Sequence, residues 1–265
     1  MADLVSRLNT LANQIWSLGP GARISLADRS VRLVAHRGAH ASGEAVENTL
    51  EAFELCLQAG VWGIELDVHL TRDLEPVIHH DPHLGRLHGR PDLTIAEVDF
   101  AILRKACPAV PHLSEVVERY GRKMHLMLEI KESWRERPAV PEAVSHALDT
   151  LEPEQDFHLL TLVPDHLEGF RAIPPAAYVD VAWLNPAETI ATNLKLGHGA
   201  VSGSFMFLGA RRLNALREQG KKVGTGFVEN VGALRREVAR DVDWVFTDRV
   251  LQLQPHIGGD QSQEP

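Results

Sequence analysis

Cysteine is scarce in this 265-residue chain: Cys56 and Cys107 are the only two. Two thiols cannot build a disulfide framework, and Cys56 falls in the apolar stripe Phe53–Leu57 of an expected helix, where burial is the ordinary outcome. Long apolar runs are missing as well, so no segment is expected to cross a bilayer. The N-terminus has no basic stretch leading into an uninterrupted apolar one. That argues against a secretory signal and makes a reducing cytoplasm the expected compartment. Excess positive charge is also absent. The formal net charge is −9, whereas nucleic-acid phosphates demand a basic face, so no nucleic-acid partner is expected.

What is present is a 44% hydrophobic chain with enough apolar material for a sizeable core. The pattern predicts one domain over 1–265, with a helical extension at 1–21, a barrel over 31–253 and a polar tail at 258–265 expected to be disordered. In the extension, Leu4, Leu8, Leu11, Ile15 and Trp16 share one helical face, and Gly19-Pro20-Gly21 stops the helix. Such a face packs on the floor or flank of a fold, or makes a weak membrane-surface contact. Basic residues are sparse there (Arg7, then Arg23), which favours packing.

From residue 31 short β-rich runs alternate with helical patterns. Strands are expected at 31–36, 63–68, 124–130, 157–162, 177–182, 199–203, 222–226 and 243–247. Helices are expected between them, among others at 49–59, 141–151, 210–219 and 231–240. Eight strands separated by helices imply parallel pairing, and the count of eight suggests closure into an α/β (β/α)8 TIM barrel, at about 27 residues per unit. A short irregular insertion interrupts the order between strands 2 and 3. There Pro76–Asp81 reads as an extra extended segment, a Pro/Gly/His-rich loop runs through Pro91, and a short helix opens at 110–115.

Several of these strands end in charged or imidazole side chains. Glu65 and Asp67 are two apart, so on a strand they project to one side, at the C-terminal end where barrel sites form. Two carboxylates there repel unless a cation sits between them. Glu129, at the same end of the next barrel strand, adds a third oxygen donor. Three hard oxygen ligands without a thiolate suit one divalent cation, Mg2+ or Ca2+, better than zinc. Lys131 points the same way as Glu129, and Arg37 follows His36 at the end of strand 1. Three acids against two cations leave about one negative charge, which a divalent ion turns into about one positive charge, so the ion is expected to be needed for an anionic phosphodiester to bind at all.

Imidazole titrates near neutrality and serves as acid or base on a phosphodiester. His36 and the His79-His80 pair bracket the site; strand alternation lets one of the pair face it, and periodicity does not say which. His40, His83, His88, His112, His125, His146, His158, His166, His198 and His256 are expected to be surface or packing residues.

The ordered set His36-Arg37-Gly38, Glu47-Asn48-Thr49 with Ala52-Phe53, Glu65-Leu66-Asp67-Val68, Thr71-Arg72-Asp73 and Pro76-Val77-Ile78-His79-His80-Asp81 resembles the glycerophosphodiester phosphodiesterase family. Leu84 and Arg86, Glu129-Ile130-Lys131 and the closing Asp243 to Asp248 extend the likeness over nearly the whole barrel. The resemblance implies a divalent cation on Glu65, Asp67 and Glu129, and an acid/base pair of His36 and His80, the latter because His80-Asp81 matches the family's His-Asp dipeptide. It further implies that Arg37 and Lys131 hold phosphate oxygens and that Glu47 and Asn48 line the site. The implied reaction releases glycerol 3-phosphate and an alcohol, with water or the neighbouring glycerol hydroxyl attacking.

The chain also departs from the pattern. Gly226-Phe227-Val228-Glu229 stands where the family usually has Trp-Thr-Val-Asn, so either Phe227 supplies the missing aromatic wall of the substrate site or the leaving group differs. Thr161 replaces a common serine, Leu87-His88 replaces threonines, and the connection from His80 to Glu129 is short. A lysophospholipase D-like activity on lipid-chained diesters is the alternative, followed by a non-catalytic phosphate-binding barrel. A carboxylate-pair glycosidase would leave Arg37, Lys131 and the histidines without a role.

Overall fold

The structure, a computed structural model, describes residues 2–27 and 29–257. The tail expected at 258–265 lies outside the described residues, as does the side chain of Leu4. The strands are β1 (Leu33–Ala35), β2 (Gly63–Leu70), β3 (Pro76–Ile78), β4 (His83–Leu84), β5 (Arg90–Thr94), β6 (His125–Ile130), β7 (Phe157–Thr161), β8 (Tyr178–Ala182), β9 (Ala200–Ser204), β10 (Lys222–Gly226) and β11 (Trp244–Thr247). Eight of them pair in parallel in the order β1-β2-β6-β7-β8-β9-β10-β11, and β11 returns to β1, closing the barrel. The eight expected strands are all present, shifted by no more than two residues at their starts.

Alternation sets what each strand faces. In β2, Ile64, Leu66 and Val68 point outward and bury against the helix Leu50–Gln58 through Phe53 and Cys56 and against Leu113–Tyr120 through Val116 and Tyr120. Val34, Met127, Leu160, Val179, Ala200, Trp244 and Phe246 fill the interior instead. Glu65 and Asp67 share the interior side with that second set, at its upper end. Each buried aliphatic side chain on the outer layer contributes about 1.5–3 kcal/mol, so the register that places the acids inward is strongly fixed. Burial pushes the Cys56 thiol up to about 12, as expected of a packing residue.

Two expectations are corrected. The Pro/Gly/His-rich stretch is not an open loop: β4 and β5 pair antiparallel around the helical turn Gly85–His88, and Leu84, Leu93 and Ile95 bury with Leu103 and Val110 in a small core of their own. The N-terminal helix Ala2–Trp16 forms, yet docks by its other face. Leu8, Leu11 and Ile15 are more than half exposed, while Asn13 is fully buried. Polar side chains win the buried side because the groove offers backbone donors and acceptors, which an apolar side chain would leave unpaired. Among the described side chains of the predicted stripe, only that of Trp16 turns inward, its ring 5.2 Å from that of Phe205. No helix among the described residues is long and apolar enough to cross a membrane.

Candidate active site

Parallel strands deliver their C-terminal ends to one rim, and the rim carries the chemistry. Asp67 on β2 and Glu129 on β6 are paired in register, and an oxygen of each lies within 4.8 Å of one from Glu65. Glu65 Oε1 is buried with no hydrogen-bond partner among the described residues, while Oε2 accepts from the Arg37 amide at 3.0 Å. An orphaned carboxylate oxygen facing two more carboxylates is the donor set of a hard divalent cation, so these residues fit the expected ion. Burial and then the Asp67 charge raise the pKa of Glu65, with Glu129 adding to both. Asp67 is the reverse case: burial opposes its ionisation, but Lys131 and Arg37 beside it hold it well below the usual carboxylate range. Lys131 Nζ sits 2.7 Å from Asp67 Oδ1 and 2.6 Å from Glu129 Oε1.

The segment after β1 is shaped to reach these acids. Arg37 and Asn48 both adopt the left-handed region, at φ 56° and 58°, a conformation costing about 1–3 kcal/mol for such residues and concentrated at functional sites. They are locked together: the Asn48 amide donates to the Arg37 carbonyl at 3.0 Å, and Asn48 Nδ2 donates to Asp67 Oδ2 at 2.7 Å. Thr49 then caps the helix Leu50–Gln58 by accepting from the Ala52 amide. Gly38 completes the turn at φ 79°, where a Cβ would lie 2.9 Å from Ala52 Cβ. Arg37 reaches Glu47 at 3.0 Å and Asp67 at 3.3 Å. Glu47 is gripped from its far side by Arg86, which also binds Asp81 at 2.7 Å.

The two histidines chosen from the sequence meet different acids of this cluster, His36 beside Glu65 and His80 within reach of the Asp67 charge. His36 directs Nδ1 to Asp248 at 2.7 Å and Nε2 toward Glu65 at 3.9 Å. Burial disfavours its charged form, but the Asp248 hydrogen bond and Glu65 outweigh that, and its pKa is raised. His80 bonds Asp81 Oδ1 at 2.7 Å, and burial lowers its pKa. The neighbouring His79 turns away, bonds the Asp81 carbonyl and is pulled down to about 4 by burial. Of the pair, His80 has the Asp67 charge beside it, whereas the charges acting on His79 are those of His88, Asp81 and His69. Phe227, after β10, meets the His36 ring edge-on at 5.1 Å and Trp183 at 6.5 Å.

Four residues at the rim had no role assigned from sequence. Asp248 and His40 form a cluster with His36, His40 lying 3.4 Å from the same Asp248 oxygen. Asp81 and Arg86 carry His80 and Glu47. Asp81, Arg86 and Asp248 were inside the quoted resemblance, which was the available signal; His40 had none. Glu47, Asp81 and Asp248 add three acids to the rim and Arg86 one base, so it is about two charges more acidic than the sequence count suggested, which strengthens the need for a cation.

The molecule is a (β/α)8 barrel that gathers carboxylates, an arginine, a lysine and histidines at its mouth, where the active sites of such barrels form. The chain matches the glycerophosphoryl diester phosphodiesterase family over residues 36–252 and belongs to it. It is 30% identical over 136 residues to a glycerophosphodiester phosphodiesterase of Bacillus altitudinis, covering 46% of this chain and 54% of the relative. It is 34% identical over 89 residues to a lysophospholipase D of Homo sapiens, covering 34% of this chain and 26% of the relative. The matches thus span about half or less of these relatives' lengths. The fold also superposes on an Oleispira antarctica phosphodiesterase solved in complex with the product sn-glycerol-3-phosphate, with a TM-score of 0.71 and 26% identity, over 85% of this chain and 96% of that one.

Proposed function

We propose that this chain is a metal-dependent glycerophosphodiester phosphodiesterase that releases glycerol 3-phosphate and an alcohol. The observation that carries the reading is the convergence of Glu65, Asp67 and Glu129 with Arg37 and Lys131, His36 standing beside Glu65 and His80 within reach of the Asp67 charge. Family membership and the product held by the Oleispira antarctica relative support it. Glu65, Asp67 and Glu129 would hold one Mg2+ or Ca2+, which when bound supplies positive charge to a phosphoryl oxygen. Arg37 and Lys131 bind the remaining phosphoryl oxygens as charge develops there. His80, whose pKa is lowered, is neutral near pH 7 and accepts the proton of the attacking oxygen. His36, whose charged form the Asp248 hydrogen bond and Glu65 favour, donates a proton to the departing alkoxide. Asn48 and Glu47 hold Asp67 and Arg37 in place, and Phe227 walls the side next to His36. The two cysteines, buried and unbridged, fit a reducing cytoplasm.

A lipid-chained substrate is a second reading with its own support. Leu162, Val163, Trp183, Leu184 and Met206 are exposed directly after β7, β8 and β9, on the rim that carries the acids, and Leu8, Leu11 and Ile15 lie exposed on the N-terminal helix. Such a border suits an acyl chain, and weak contact of the helix with a membrane surface, better than a water-soluble alcohol.

The test is turnover of a panel of glycerophosphodiesters and of lysophosphatidylcholine, each with and without Mg2+ or Ca2+. Release of glycerol 3-phosphate, abolished in His36→Ala and His80→Ala, supports the main reading. Preference for lysophosphatidylcholine supports the second, and binding without turnover contradicts both.

A further inference from the structure

We propose that Asn13, on the N-terminal helix and outside the span matched to the family, is a positioning residue of the active site: it holds the Phe227–Glu229 segment so that the Phe227 ring stands against His36 and limits which leaving alcohols fit. The part concerning alcohols rests on the phosphodiesterase reading. The clasp itself does not.

Asn13 is fully buried and bridges its own helix to this segment, its Nδ2 also donating to the Asn9 carbonyl at 3.0 Å. Its Nδ2 donates to the Phe227 carbonyl at 3.0 Å and its Oδ1 accepts from the Glu229 amide at 2.8 Å. Asn9 adds a second donor to the Phe227 carbonyl at 3.2 Å and binds Glu229 Oε1 at 2.6 Å, and Thr10 donates to Glu229 Oε2 at 2.8 Å. The middle residue is held from the opposite side, where the Val228 amide donates to the Phe246 carbonyl at 3.2 Å. The segment that follows β10 is therefore gripped by β11 at position 228 and by the helix at 227 and 229.

The helix is itself fixed to the barrel wall. Trp16 Nε1 donates to Glu237 Oε1 at 2.6 Å, Arg236 stacks 3.6 Å from the Trp16 ring, and Arg236 Nη1 donates to the Trp16 carbonyl at 2.9 Å. A buried amide is costly unless its groups are paired, so helix and segment form one unit. Two features that the family pattern leaves unexplained, the N-terminal extension and the Phe227 to Glu229 departure, bond to each other. Loops at a barrel mouth are ordinarily its most mobile part, and misplacement by about 1 Å of a group lining a reaction site is enough to cost 10²-fold. The clasp removes that freedom next to His36.

The experiment uses the full chain as wild type, Asn13→Ala, Phe227→Ala and the double variant, with Asn9→Ala as the milder substitute should Asn13→Ala fail to fold. Amide hydrogen exchange across 225–230 is expected to quicken about tenfold in Asn13→Ala while β6 stays protected. The ratio of KM for glycerophosphocholine to KM for glycerophosphoethanolamine is expected to change about tenfold in Asn13→Ala and in Phe227→Ala, and no further in the double variant, because both act through one ring. Unchanged exchange at 227–229, or additive effects on the KM ratio, overturns the proposal. If wild type turns over neither diester, the phosphodiesterase reading fails, and the exchange measurement still decides whether Asn13 holds the segment.

Discussion

Asp248 Oδ1 lies 2.7 Å from His36 Nδ1, so the acid that follows β11 fixes which imidazole nitrogen faces the carboxylate cluster. An Asp248→Asn variant keeps the shape and loses the charge that holds Nδ1 protonated. Its kcat is expected to fall about 10²-fold, the low end of what a positioned acid contributes, with KM little changed. Steady-state kinetics on a glycerophosphodiester checks this; a wild-type kcat contradicts the role given to His36.

Cation binding is expected to tighten with rising pH. The raised pKa of Glu65 means that below it the carboxyl holds a proton which an incoming cation must displace. Mg2+ and Ca2+ titrations by calorimetry at pH 6 and pH 8, in two buffers of different ionisation enthalpy, should show weaker binding and proton release at the lower pH. Glu65→Gln should remove the pH dependence along with most of the affinity. Affinity that is flat with pH in wild type contradicts the assignment of Glu65 as a ligand.

Stability should have its own pH signature, away from the mouth. His198 is fully buried, with Nδ1 3.0 Å from Asp180 Oδ1 and Nε2 3.1 Å from Glu168 Oε1, and Asn193 completes the shell at 2.8 Å from Asp180. Burial disfavours the imidazolium, but Asp180 and Glu168 together outweigh it and raise the pKa. The stabilisation is therefore fully present below the unfolded-state value of about 6.5 and is lost as pH rises through the higher folded value. Thermal melts from pH 6 to pH 9 should show Tm falling in wild type and a flatter profile in His198→Ala. At pH 6 the variant should melt about 5–10 °C lower, the shift that a loss of about 2–3 kcal/mol gives in a chain of this size.

Period-2 and period-3.6 patterning made the barrel legible, because each strand has an apolar outer side that must bury and each helix one stripe that must meet it. Glu65, Asp67, Glu129 and Lys131 were readable for the same reason: strand alternation is rigid enough to carry a side chain's direction. The role of Asp248 was not, since nothing local says that a residue 212 positions from His36 ends beside it; only the closing of β11 on β1 does. The docking face of the N-terminal helix was misread because periodicity ranks faces by apolarity. Asn9 and Asn13 gain from Phe227 and Glu229, partners more than 200 residues away, what Leu8 and Leu11 could not. His79 and His80 were separable only once β3 was seen to end at Ile78, before either of them.

The central claim is that the carboxylate triad works through a bound divalent cation on a phosphodiester. The most direct measurement is glycerol 3-phosphate release from glycerophosphocholine by protein stripped with chelator and then titrated with Mg2+ or Ca2+, beside Glu129→Gln treated the same way. Activity should vanish on chelation, return with the metal in wild type, and stay at least about 10²-fold lower in the variant. Full turnover by the chelated wild type, or equal recovery in Glu129→Gln, contradicts it.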